Sequence, residues 1–272
     1  MSSGHVLVIG CAAGPASPFG IEADSRAITS QQVSVAAVAT ANATRRNGES
    51  YQTVQTTPEG LHAELEKAIS QSDLDPTNCN VVKIANNGQL NSAYTGAILD
   101  PIAIRVIADM LPSMQRTVVL DMERWFHTDM DPSRDDALAA FCSHILPHTS
   151  VLCATVDDAL SLLEHAGAPV PPPRGIPDIK LIGITLRHLG PTYVVIKQEF
   201  VDEGEGVTSL QYVLCGPQEE PAYDRLRCKN PNAVAGASYS AASAIAAHLA
   251  KGVDAPEAVP AAFTHIQKTM TR

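Results

Sequence analysis

The residues best placed to do chemistry lie between Lys229 and Gly252, in KNPNAVAGASYSAASAIAAHLAKG. From Ala233 to Ala250 nearly every side chain is small, a composition that favours helix without bulk. Gly236, Ala237 and Ser238 stand near the start of that helix, and Tyr239 follows. A small-residue N-terminus lets a ligand approach free backbone N–H groups, and the helix dipole there favours negative charge. Tight packing of a buried helix explains the same composition. Two other chemistries fit poorly. GASYS ends in Ser240 where a nucleophile elbow needs glycine, and no His–Asp pair can be placed beside it. The nine histidines show no HExxH-like spacing, so no metal site is expected.

The elements that would position such a site alternate between strand and helix. Short apolar runs at Val6–Ile9, Val33–Val38, Asn80–Ile84, Thr117–Asp121, Ser150–Cys153 and Tyr193–Lys197 read as buried strands. Helices are expected at Gly20–Ser30, Thr57–Ser70, Pro101–Leu111, Asp135–Ile145, Val156–His165, Ile176–Leu189, Ala233–Ala250 and Pro256–Thr269. In the second of these Thr57 caps, Pro58 fits the first turn, and Leu61, Leu65 and Ile69 recur at helical spacing. Val207–Leu214 alternates and is expected as an antiparallel edge strand. GAPVPPPRG (167–175) is a surface loop. This order predicts a doubly wound, mostly parallel sheet in one domain spanning 1–272. Such sheets bind ligands beyond the carboxyl ends of their strands. That draws attention to Gly10 and Cys11, Asn86 and Asn87, Asp121 to His127, and the turn after Asn232.

Composition narrows the function classes. With 272 residues, 45% hydrophobic, the chain can bury a large core, and with 4% aromatics that core is mostly Ala, Val, Leu and Ile. The net charge of −10 argues against nucleic acid and anionic membrane as partners. No segment approaches 18 uninterrupted apolar residues, so no membrane span is expected. The six cysteines are scattered without a CxxC pair, which reads as reduced thiols in a cytoplasmic protein.

The order VLVIG…GIEAD, SVAAVATANAT, VVKI, VVLD, ILPHTSVL, YVVIK and SAIAAHLAKG resembles the hydroxymethylpyrimidine and phosphomethylpyrimidine kinases of the ribokinase superfamily. The resemblance runs from about Val6 to Gly252. It implies a ribokinase-like three-layer α/β/α fold and a homodimer. Matched to the family's pyrimidine pocket, Gly10 follows the first strand and Asp24 is the acid of the GIQAD-like turn. Asn42 stands where the family has Gln or Glu, and Asn86 stands where it has Met. Glu123 replaces a small apolar residue, followed by Arg124 and Trp125.

The phosphate machinery departs further. The family's TPN-x-x-E reads ATVDDA (154–159), leaving Asp158 as the nearest acid and Thr155 in place of Asn. Its KGGH loop reads Lys197-Gln198-Glu199-Phe200, and Glu199 would repel ATP. Its GTGC anion hole reads GASY, placing Ser238 on the second glycine and Tyr239 on the catalytic residue. Phosphoryl transfer depends on positioning and charge stabilisation, so these changes together predict lost kinase activity and no nucleotide cofactor.

What remains is a small-molecule pocket. Tyr239, Asn86 and Asn42 are its expected catalytic donors; Gly10, Asp24, Glu123, Trp125 and Ser238 are its expected substrate contacts. Donors aimed at a carbonyl and an apolar wall suit folding an apolar substrate into a reactive conformer. There is a looser resemblance to the norbornene-forming Diels–Alderases of terpenoid secondary metabolism. It implies ATP-independent pericyclic cyclisation of a terpenoid. The alternatives are a surviving pyrimidine kinase and a non-catalytic, ligand-binding pseudokinase.

Overall fold

In a sheet covered on both faces, strands are buried on both sides and read as continuous Val/Ile/Leu runs. That is how the runs at β1 (His5–Ala12), β4 (Asn80–Gly88), β6 (Thr117–Glu123), β7 (Val151–Thr155) and β8 (Tyr193–Asp202) behave in the computed structural model. It describes residues 4–14, 20–46, 50–71, 80–88, 95–96, 100–114, 116–123, 134–204, 206–217, 220–228 and 231–270. With β2 (Ser34–Arg46), these strands form a parallel core in the order β2-β1-β4-β6-β7-β8. Antiparallel strands flank it: β3 (Ser50–Gln55) beside β2, and β9 (Thr208–Cys215) then β10 (Ala222–Cys228) beyond β8. The two-residue β5 (Thr95–Gly96) pairs with the end of β4.

Helices cover both faces, giving the expected three layers. One apolar core packs α2 (Pro58–Gln71), α3 (Pro101–Met114), α4 (Arg134–Ala140), α5 (Val156–His165) and α6 (Ile176–Arg187) on one face. The other packs α1 (Gly20–Thr29), α7 (Pro231–Ala250) and α8 (Ala255–Met270). The Thr57 cap is present: its hydroxyl accepts from the Gly60 N–H at 3.2 Å, and Leu61 and Leu65 are buried. No described helix is long and apolar enough to cross a membrane. Five cysteines (Cys11, Cys142, Cys153, Cys215 and Cys228) are free thiols.

Three expectations change. β9 is antiparallel but interior, because β10 forms the edge instead; β10 buries little beyond Leu226, so its sequence carries no apolar alternation. The β2–β3 hairpin extends the second strand past Val38 with polar residues, pairing Ala41 with Gln55 and Asn42 with Val54. The helix expected over Asp135–Ile145 widens into a π turn from Phe141 to Ile145. Phe141 and Ile145 are both buried there, and the Leu146 N–H reaches back to the Phe141 carbonyl.

The small residues of α7 have a packing role along most of the helix. Ala241, Ala242, Ala244, Ala246 and Ala247 are buried against α1, α8 and the sheet. Ala246→Leu is expected to cost about 1–3 kcal/mol by overpacking, read as a fall in the urea midpoint at unchanged m-value.

Candidate functional site

A lysine in the middle of a buried strand must find a counter-charge, since an isolated buried ammonium is very costly. Lys83, in the β4 run VVKI, is completely buried, and so are Asp121 of β6 and Lys197 of β8. All three lie near the middle of their strands. The Lys83 ammonium lies 2.8 Å from Asp24 Oδ1 of α1 and 3.3 Å from Asp121 Oδ2. On the other side of Asp121, Lys197 lies 3.7 Å from Oδ1. The Lys197 ammonium also donates to the backbone carbonyl of Ser238 at 3.2 Å, and the Ser243 hydroxyl donates to Asp24 Oδ1 at 2.6 Å.

The result is a ladder of alternating charge, Asp24–Lys83–Asp121–Lys197, attached to α7 at both ends. Two carboxylates balance two ammoniums, so the ladder is neutral. Burial pulls the Lys83 pKa down, but Asp24 and Asp121 outweigh it, and the net shift is upward from the ordinary value. Lys83 therefore stays protonated in the folded chain.

Around the ladder, sheet register brings several expected site residues to one end of the molecule. Ile9 pairs with Ile84, which places Gly10 beside Ala85; Ala85 pairs with Asp121, Asn86 with Met122 and Asn87 with Glu123. Asn42 pairs with Ala12 and is exposed. Thus Gly10, Asn86 and Glu123 lie toward the carboxyl ends of their strands, where parallel sheets bind ligands, and Asn42 lies where β2 ends its pairing with β1. Tyr239, on α7 next to Ser238, is half-buried with a solvent-shielded phenol oxygen. Trp125 and His127 lie outside the described residues.

Structure gives some of these residues internal duties. A Cβ on Gly10 would stand 2.9 Å from Ala85 Cβ and 3.0 Å from its carbonyl oxygen, so glycine is required there by the β1–β4 contact itself. Asp24 is buried in the ladder, and Ser238 is buried with its carbonyl bound to Lys197. Glu22 of the same GIEAD turn accepts from the Ala13 and Gly14 N–H groups at 3.0 and 3.1 Å, tying down the loop after β1.

The residues that the resemblance matched to the phosphate site are likewise engaged. α7 begins at Pro231, which places Gly236 to Tyr239 inside the helix and not at its mouth. Only the first four N–H groups of a helix are free, so these later ones are committed to the helix ladder. Asp158 is buried and closes a helix cap: its carboxylate accepts the Thr155 hydroxyl proton at 2.5 Å while Thr155 Oγ1 accepts from the Asp158 N–H at 3.2 Å. Lys197 is spent on Asp121 and Ser238.

Sequence reasoning missed Lys83 and gave Lys197 only a phosphate-loop reading. The available signal was a charged residue inside an otherwise apolar strand, at VVKI and again at VVIK.

Lys83→Met leaves Asp24 as a buried carboxylate without a counter-charge and Asp121 with Lys197 alone, and is expected to cost roughly 3–5 kcal/mol. The double replacement Lys83→Met/Asp24→Asn keeps the Asp121–Lys197 pair and should cost less than the single one, checked by chemical denaturation. The pH dependence has a defined sign. Because the folded pKa of Lys83 is raised above its ordinary 10.5, its contribution is fully present below that value. It is lost as pH rises through the folded pKa, and alkaline unfolding curves of Lys83→Met should lack that loss.

Comparisons with known proteins agree with this architecture. The chain resembles the pyridoxal kinase of Staphylococcus aureus solved with pyridoxal, at TM-score 0.74 and 18% identity over 99% of this chain and 89% of that one. It resembles the phosphomethylpyrimidine kinase of Clostridium difficile at TM-score 0.69 and 17% identity, over 97% and 98% of the two chains. At those identities the likeness shows a shared ribokinase-like fold. A candidate hydroxymethylpyrimidine/phosphomethylpyrimidine kinase of Schizosaccharomyces pombe is 29% identical over 184 residues, 67% of this chain. The chain spans about half the length of that relative, 51%. The sequence model of the phosphomethylpyrimidine kinase family matches residues 15–272. The chain belongs to the phosphomethylpyrimidine kinase family.

Proposed function

We propose that this family member is a repurposed enzyme that cyclises a small apolar metabolite, of terpenoid type, by an ATP-independent Diels–Alder-type reaction. One observation carries the first half of that reading: three separate remnants of phosphate chemistry are bound up in internal contacts. Lys197 is paired with Asp121, Asp158 is bonded to Thr155, the cap of α5, and Gly236–Tyr239 lie within α7. Phosphoryl transfer needs such groups positioned on the phosphate charge.

The second half rests on what stands at the strand ends. In a [4+2] cyclisation two σ bonds form from π electrons, and no atom is lost or gained. The protein's task is to fold the substrate and to withdraw electron density from the dienophile carbonyl. Tyr239 as donor, with Asn42 and Asn86, suits that role; Gly10, Asp24, Glu123, Trp125 and Ser238 complete the proposed site. A second reading, phosphorylation of a hydroxymethylpyrimidine, is favoured by the family match over residues 15–272 and by the kinases that share the fold.

Calorimetry with magnesium-ATP at millimolar concentration separates the two. No binding heat, and no ADP formed with hydroxymethylpyrimidine, is expected; saturable binding with turnover would establish the kinase. On a tethered diene–enal model substrate, Tyr239→Phe should slow cyclisation by up to about tenfold, the worth of one net hydrogen bond. An equal rate would remove Tyr239 from the mechanism.

A further inference from the structure

We infer that the buried charge ladder is a positioning device for Tyr239, with Lys197 and Ser243 as the residues that set its place. The inference rests on the reading of Tyr239 as the ligand's hydrogen-bond donor. Its physical basis is how α7 is held. A helix packed through alanines has few interlocking side chains to fix its rotation and axial position on the sheet. α7 is such a helix where it crosses the strands.

The ladder supplies two directional attachments. Lys197 Nζ donates to the Ser238 carbonyl at 3.2 Å, and Ser243 Oγ donates to Asp24 Oδ1 at 2.6 Å. Five residues of helix separate them, about 7.5 Å along the axis and roughly 140° around it. Two attachments so separated fix both rotation and translation. Tyr239 is the neighbour of the first and lies between the two. Lys83 and Asp121 join the attachments through the sheet, at 2.8, 3.3 and 3.7 Å. Loosening either end lets α7 turn, and the phenol moves with it.

The test is ¹⁹F NMR of the full chain labelled with 3-fluorotyrosine, with the Tyr239 resonance assigned from Tyr239→Phe. Lys197→Met and Ser243→Ala are each expected to move or broaden the Tyr239 signal by more than its linewidth. The signals of Tyr223, on the edge strand β10, and of Tyr193, at the far end of β8, should stay in place. Ser243→Ala removes one oxygen and leaves Lys83 on Asp24, so it decides the matter alone if Lys197→Met fails to fold. A Tyr239 signal unchanged in folded Ser243→Ala, or all tyrosine signals moving together, overturns the inference. The readout is taken on the free protein. An error in the functional reading would appear elsewhere, as an unchanged cyclisation rate in Tyr239→Phe.

Discussion

The alternation Asp24–Lys83–Asp121–Lys197 is the constraint on which the rest of the site depends. Each member is buried, and none is tolerable without its neighbour. Asp121 is the pivot, facing an ammonium on either side at 3.3 and 3.7 Å. Those distances mark attraction between charges more than tightly aligned hydrogen bonds, so the ladder's strength comes from low dielectric and exclusion of water. It joins β4, β6 and β8 to α1 and α7, and so ties the sheet to the helices on one of its faces.

The same ladder engages the lysine that stands at the family's phosphate-loop position. A phosphate-binding lysine must be able to leave its resting partner for the ligand. Lys197 is instead held inside a neutral array, with a backbone carbonyl as its further acceptor. The helix that would carry an anion hole at its mouth begins well before Gly236, and its glycine-to-tyrosine segment is ordinary helix. The residues matched to the family's phosphate site thus make internal contacts in this fold.

Much of the fold was legible because it follows from local rules. Val156–His165 is a helix with the predicted bounds, since Thr155 caps it and its apolar residues recur at helical spacing. The parallel core was legible from runs such as VLVI and TVVL. β3 and β10 were not, because they pair with a neighbour without an apolar alternation: Val54 and Gln55 are exposed, and in AYDRLRC only Leu226 is buried. Residue types at strand ends drew attention to Gly10, Asn86 and Glu123, which the sheet register sets near one another. The ladder escaped notice because Asp24, Lys83, Asp121 and Lys197 are far apart in sequence; only the register that sets Ala85 opposite Asp121 brings them together.

The most direct test of this account is the ammonium resonance of Lys197 in protein labelled with ¹⁵N-lysine, followed as magnesium-ATP is added. A lysine sealed between Asp121 and the Ser238 carbonyl should give a protected ammonium signal, slow to exchange with water and unmoved by millimolar nucleotide. A Lys197 signal that exchanges freely, or that shifts along a saturating curve with magnesium-ATP, would contradict it.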